Sequence, residues 1–283
     1  MSAVGFIGLG NIGRPMAKRL AGWPEGLWVY DLDPAAAAAL EAAGAKVAAS
    51  PREVAEQAGV VCVMVRDDDQ VRAVLSGEDG VLAGAADGCV VVVHSTIRPD
   101  TVQELVELAA PHGVRVVDAP VSGGAGGADH GRLAIMVGGD DDAVERCRPA
   151  LEAMGDLVVH LGPAGAGTAT KLARNLMHFV AFTAAMEASA LAQAAGIDLP
   201  TLGKIVRHTD AITGGPGAIM YRDTAGRLAP DDPWVPIFEH VRALGEKDLT
   251  FATELAAQLQ VDTPLARLAL ERLAMGLGLE DEA

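Results

Sequence analysis

The sequence predicts an α/β domain built on a doubly wound, mostly parallel sheet, then a long helix and an all-α C-terminal domain. Three observations carry that expectation. Short apolar runs without polar alternation recur through the first half, as in strands covered on both faces. Helix-like segments separate them, giving the strand–helix–strand rhythm of a doubly wound sheet. From Gly167 onward no convincing strand follows, and alanine-rich helical patterns take over.

Strands are expected at residues 4–7, 27–30, 60–65, 89–93, 115–117, 135–137 and 158–161. Helical patterns at 15–21, 34–43 and 100–110 fall between them. The run 167–196 reads as one helix of roughly 44 Å, at about 1.5 Å rise per residue. It is apolar on most sides, which predicts burial between domains or subunits. Helical patterns continue over 199–209, 245–259 and 263–275, and a Gly/Pro/Asp-rich stretch at 213–236 is expected to be loop. The α/β domain is therefore placed at 1–163, and the long helix with the helical domain at 164–283. No internal repeat stands out.

Composition agrees. The 283 residues suffice for two ordinary domains, and half are hydrophobic with 4% aromatic, which suits an α/β or helical protein better than a β-sandwich. A formal net charge of −16 argues against a nucleic-acid partner, and a bound anion would need local backbone amides or individual cations. Cys62, Cys89 and Cys147 are odd in number and far apart; the first two lie inside apolar runs, so inert buried thiols in a reducing compartment are expected. The histidines lack metal-ligand spacing, so no metal site is expected. The N-terminus has no basic flank and reads as a strand, not a signal peptide. No run of about eighteen residues is uniformly apolar, since 176–195 is broken by His178, Glu187 and Gln193. A cytoplasmic protein without a membrane partner is expected.

The first strand ends in GLGNIG, the G-x-G-x-x-G spacing of a Rossmann dinucleotide site. Gly8 permits the tight turn, Gly10 lets backbone approach a pyrophosphate, and Gly13 allows helix to pack on strand. Asn11 and Ile12 lie between them, where the helix start aims amides at phosphate. Asp31 ends the second strand, in WVYDLD. A carboxylate there accepts ribose hydroxyls and repels the extra phosphate of NADP, and no Arg or Lys follows it, so NAD is preferred over NADP. The alternatives for Asp31 are a turn residue or a helix N-cap, and Asp33 before Pro34 fills the cap better. Two later strand ends, Val65-Arg66-Asp67 and His94-Ser95-Thr96-Ile97, should face the same cofactor, and Thr96 could reach the nicotinamide ribose. For Thr96, spacing alone favours a cap of the following helix.

Within VDAPVSGGAGGADHG, Ser122, Gly123 and Gly124 can present adjacent amides and a hydroxyl to a carboxylate. A mobile surface turn is the alternative. GTATKLARNLMH opens the long helix, and a helical wheel puts Lys171, Asn175, His178 and Phe182 on one face. A partly desolvated lysine suits general acid/base work, whereas a solvent-facing lysine is the ordinary alternative. His178 reads as a packing or pocket-lining residue.

GFIGLGNIGRPMAKRL, DAPVSGGAGGADHG, GTATKLARN and EKDLTFA occur in an order and spacing that resembles the β-hydroxyacid dehydrogenases, the family of 3-hydroxyisobutyrate dehydrogenase and tartronate semialdehyde reductase. The similarity spans essentially the whole chain. It implies a Rossmann domain, an interdomain helix and a helical domain assembled as a homodimer or homotetramer. It puts the catalytic lysine at Lys171, the substrate-orienting asparagine at Asn175 and the carboxylate loop at Ser122, Gly123 and Gly124. Thr96 matches the family's cofactor-contacting threonine. Lys247, beside Asp248, matches a lysine that reaches substrate and nicotinamide from the second domain. Arg174 stands where the family has a first asparagine, and His178 where an apolar residue is expected.

The implied enzyme is an NAD(P)-dependent oxidoreductase interconverting a small 3-hydroxy acid and its semialdehyde or keto acid, with Lys171 exchanging the hydroxyl proton. The rivals are related reductases acting on glyoxylate, succinic semialdehyde or imines, and a non-catalytic cofactor-binding module. The 6-phosphogluconate dehydrogenases share the glycine motif and the Lys/Asn pair. They resemble a G-H-x-x-K pattern, which Thr168 breaks, and carry a longer helical domain. Imine reductases resemble a pattern with Asp or Tyr in place of Lys171.

Overall fold

The computed structural model describes residues 2–220, 222 and 224–279. Tyr221 and Asp223, within the expected loop, and the ends of the two expected domains (Met1 and 280–283) lie outside the described residues. The chain divides into two compact units, Met1–Arg174 and Asn175–Ala283.

In the first unit the elements are β1 (Val4–Ile7), α1 (Gly13–Arg19), β2 (Leu27–Tyr30), α2 (Pro34–Glu41), β3 (Lys46–Val47), α3 (Pro51–Gln57), β4 (Val60–Val63), α4 (Asp68–Leu75), α5 (Val81–Gly84), β5 (Val90–Val93), α6 (Pro99–Ala109) and β6 (Arg115–Asp118). They form a parallel six-stranded sheet of order β3-β2-β1-β4-β5-β6. The chain continues through β7 (Val121–Ser122), α7 (Gly124–Asp129), β8 (Ala134–Val137), α8 (Asp141–Met154) and β9 (Leu157–His160). These strands make a second sheet, β7-β8-β9, in which β7 runs antiparallel to β8. An isolated bridge between Asp118 and Gly138 links β6 to the end of β8.

The unbroken apolar strands have a direct cause. Val4 and Phe6, Val60 and Cys62, and Val90 and Val92 point into a cluster shared with α1, α2 and α8. Ile7, Val61, Val63, Val91 and Val93 point the other way, into a cluster shared with α3 to α6. Alternation is present, but both sides of each strand are buried, so it leaves no polar mark. β3 and β7, two residues each, are too short for any periodicity, and neither was anticipated.

α9 (Ala166–Ala194) begins in the first unit and ends in the second, where α10 (Leu199–Thr213), α11 (Val235–Gln258) and α12 (Pro264–Gly276) follow. Two expectations need correction. α11 starts ten residues before the predicted 245, and a short 3-10 turn at Gly215–Ile219 occupies part of the expected loop. Gly245 looked like a boundary, yet it is a packing residue: a Cβ there would lie 2.7 Å from Leu273 Cδ2 of α12. The long helix is expected to be buried between domains or subunits; in this single chain its Leu176, Phe179, Phe182 and Met186 are exposed.

Candidate active site

Strand order reverses between β1 and β4, which opens a crevice beyond their carboxyl ends. Gly8 follows β1 with φ +92°, and a Cβ there would collide with Met64 O after β4. A Cβ on Gly13 would strike Gly8 O, so α1 lies against the turn itself. Gly10 differs: a Cβ would meet nothing within 4 Å. Protein packing therefore does not require glycine at position 10, whereas close approach of a pyrophosphate does. Ile12 caps α1 without a side-chain hydrogen bond, and Asn11 beside it is exposed.

Asp31 follows β2 with one oxygen accepting Leu9 N–H at 2.5 Å and the other accepting Asp33 N–H at 2.8 Å. It thus ties the second strand end to the glycine turn, while Asp33 caps α2 through Ala35 N–H. The ends of β4 and β5 are joined as well. Ser95 Oγ accepts Val65 N–H at 2.9 Å and donates to Val65 O at 2.7 Å. Arg66 is exposed and paired with Asp67. Thr96 is exposed beyond β5 and does not cap α6, whose N-cap Arg98 makes no side-chain bond. These residues fit a nicotinamide dinucleotide: an open glycine approach, a helix start and a carboxylate at the second strand.

The second half of the site comes from residues 118–124 and the first turns of α9. Lys171 is 8% exposed, and its Nζ donates to Val121 O at 2.6 Å and to Ser122 Oγ at 2.8 Å. The solvent-facing alternative is therefore wrong. Burial pushes the Lys171 amine below its ordinary pKa, and the Arg174 guanidinium one turn on pushes it further. Gly123 and Gly124 take φ of +133° and +64°, turning the chain from β7 into α7. The glycine-rich turn thus lies beside the amine, which bonds to Ser122 at its start. Asn175 lies half-buried one helical turn beyond Lys171. His178 is half-buried with its ring 4.3 Å from that of Phe182, consistent with packing. Lys247 stands on α11 in the second unit, exposed and 3.2 Å from Asp248.

Of two further buried residues near these elements, Asp118 escaped the sequence reading, and His94 entered it only as part of a strand end expected to face the cofactor. Asp118 is fully buried, and its carboxylate accepts Gly165 N–H at 2.7 Å and Thr168 N–H at 2.6 Å. A carboxylate inside the apolar run VRVVDAPV is the signal that could have found it, because such a group is tolerated in a core only with donors to meet it. His94 is buried at the end of β5, with Nδ1 2.8 Å from Ala119 O and the ring stacked on Phe6. Burial lowers its pKa to about 4, so it is neutral near pH 7. No group of three or more His, Cys, Asp or Glu able to hold a metal ion gathers among the described residues.

Comparison with known proteins agrees with this geometry. Residues 3–162 match the family described as the NAD binding domain of 6-phosphogluconate dehydrogenase. Residues 165–281 match the family described as NAD-binding of NADP-dependent 3-hydroxyisobutyrate dehydrogenase. The chain is 50% identical over 276 residues to an uncharacterized oxidoreductase of Mycobacterium tuberculosis, covering 98% of this chain and 93% of the relative. It is 37% identical to the NAD-dependent L-serine dehydrogenase of Pseudomonas aeruginosa, covering 95% and 90%. The crystal structure of an oxidoreductase from Mycobacterium avium superposes with a TM-score of 0.94 at 49% identity, over 99% of both chains.

Proposed function

The chain belongs to the β-hydroxyacid dehydrogenase family, and from that premise we propose that it interconverts a small 3-hydroxy acid and its semialdehyde or keto acid, using NAD in preference to NADP. One observation carries the proposal: the buried amine of Lys171, within hydrogen-bond distance of Ser122 Oγ. L-Serine and 3-hydroxyisobutyrate, named for members of this family, both carry a carboxylate and an alcohol on the third carbon.

Gly8, Gly10, Asn11, Ile12, Gly13 and Asp31, with Val65, Arg66 and Thr96 at the neighbouring strand ends, would hold a nicotinamide dinucleotide, whose ring would supply the acceptor for the carbinol hydride. The turn at Ser122, Gly123 and Gly124 holds the substrate carboxylate. Lys171, neutral before oxidation, takes the hydroxyl proton as the carbonyl forms; in reduction its ammonium returns the proton to the developing alkoxide. A depressed amine pKa enlarges the neutral fraction near pH 7. Asn175 orients the hydroxyl, and Lys247 is assigned by resemblance alone. Asp31 without a following cation supports NAD; the names of similar proteins point both ways, to NAD for the L-serine dehydrogenase and to NADP for the family matched at 165–281.

The chain is further proposed to work as a homodimer or homotetramer in the cytoplasm. The exposed apolar side chains of α9 support assembly, and three buried free cysteines suit a reducing compartment. No described helix is long and apolar enough to cross a membrane.

The test is steady-state kinetics over a panel of 3-hydroxy acids and semialdehydes with both cofactors, on the natural chain and on Lys171→Ala. Turnover is expected to fall by about 10²–10⁴-fold in the variant, with NADH affinity nearly unchanged. The oxidation rate should climb with pH through a midpoint below the ordinary lysine value. Undiminished turnover of Lys171→Ala removes the assignment.

A further inference from the structure

We infer that Asp118 is a positioning residue for Lys171: it fixes the first turn of α9 from the same short segment, 118–122, that receives the lysine amine. The inference rests on the role proposed above for Lys171.

Asp118 ends β6, whose pairing with β5 uses backbone groups alone. Its neighbours Val116 and Val117 are buried and apolar, so packing would be served by an apolar side chain. The buried carboxylate instead spends both oxygens on the start of α9, at Gly165 N–H and Thr168 N–H. Short charge-assisted bonds to first-turn amides, at the positive end of the helix dipole, are where a buried anion is best tolerated. Lys171 lies one helical turn beyond Thr168 and donates to Val121 and Ser122, three and four residues beyond Asp118. One strand-to-turn segment thus clamps the helix at its start and again at the amine.

The seat has no slack. A Cβ on Gly138 would meet Asp118 Oδ1 at 2.5 Å and Gly167 N at 2.8 Å. A Cβ on Gly167 would meet Asp118 O at 2.8 Å and Gly138 N at 3.0 Å, besides colliding with Met136 O. The Asp118–Gly138 backbone bridge runs beneath. Loosening the carboxylate therefore moves the helix start rather than an isolated side chain. Misplacement of a reacting group by about 1 Å is enough to cost on the order of 10²-fold in rate.

Asp118→Asn keeps the shape but points an NH2 group at one of the two amides. In the full-length protein, kcat is expected to fall roughly 10–100-fold, with the Kd for NADH within about twofold. The kcat–pH profile should shift to higher pH, because a loosened seat admits water around the ammonium and restores its ordinary proton affinity. Lys171→Ala runs beside it. Full activity in Lys171→Ala sinks the role of the lysine itself; loss there with normal turnover and an unmoved pH profile in Asp118→Asn sinks only the positioning role. A lowered Tm with unchanged turnover per active site also overturns it, since that is a purely structural role. Should Asp118→Asn not fold, Gln103→Ala tests the same seat from the surface, because Gln103 Nε2 holds Ala164 O at 2.7 Å. It should give a smaller fall in kcat with the same direction of pH shift, and no change in either overturns the inference.

Discussion

In the first unit, β1, β4 and β5 send side chains into apolar clusters on both faces of the sheet. In the second, Leu228, Phe238 and Leu277 make the buried cluster, while Leu176 and Met186 are each 70% exposed and Ile212 73%. The two units are similar in hydrophobic character but not in where they put it. A parallel sheet brings its own cover, because each crossover helix returns to the face of the strands it joins. Helices on their own must find partners for their apolar stripes, and the second unit leaves much of that surface open in a single chain. The buried Lys171 amine falls on the packed side of this contrast, as the positioning of a reacting group would require.

The contrast can be broken most forcefully in the first core. Phe6→Ala should lower stability by about 3–5 kcal/mol, measured by denaturant unfolding, and by the same amount at every protein concentration. Met186→Ser, on the exposed side of the second unit, should instead give an effect that varies with protein concentration; if both behave alike, the second unit is self-sufficient and the comparison fails.

A pH test comes next. His94 has a folded pKa of about 4 against an ordinary 6.5, so the unfolded chain takes a proton that the folded one refuses between those values. Stability is therefore lost as pH falls from about 6.5 to 4, by roughly 3 kcal/mol. His94→Gln should flatten that slope in pH-dependent unfolding; an unchanged slope places the acid sensitivity elsewhere.

The exposed face of α9 gives a third measure. If a second copy covers it, Phe182→Ser should weaken self-association by about tenfold or more in sedimentation. If the face is simply solvated, the change should stay within about 0.5 kcal/mol of stability and the oligomeric state should not move. The smallest effect is expected at the glycine turn: Gly10→Ala should leave Tm unchanged while weakening NAD binding about tenfold. Gly13→Ala, by contrast, should lower Tm because its Cβ has no room.

Much of this architecture was legible in the sequence because its signals are local. β1, β2 and α2, with the Asp33 cap, follow from short-range pattern, and GLGNIG announces its own turn through the glycines at 8, 10 and 13. The order of α9 to α12 was readable for the same reason. Less legible were β3 and β7, too short to show a period, and the true start of α11, hidden by a glycine serving a neighbouring helix. The sequence by itself determined which residue types stand ready: a lysine in a helix of small residues, a serine before two glycines, an acid after a valine run. Only the tertiary structure decided that Lys171 meets Ser122 across 49 positions of chain and that Asp118 meets Thr168 across 50. Burial and hydrogen-bond partnership are properties of pairs of segments, and periodicity describes one segment at a time.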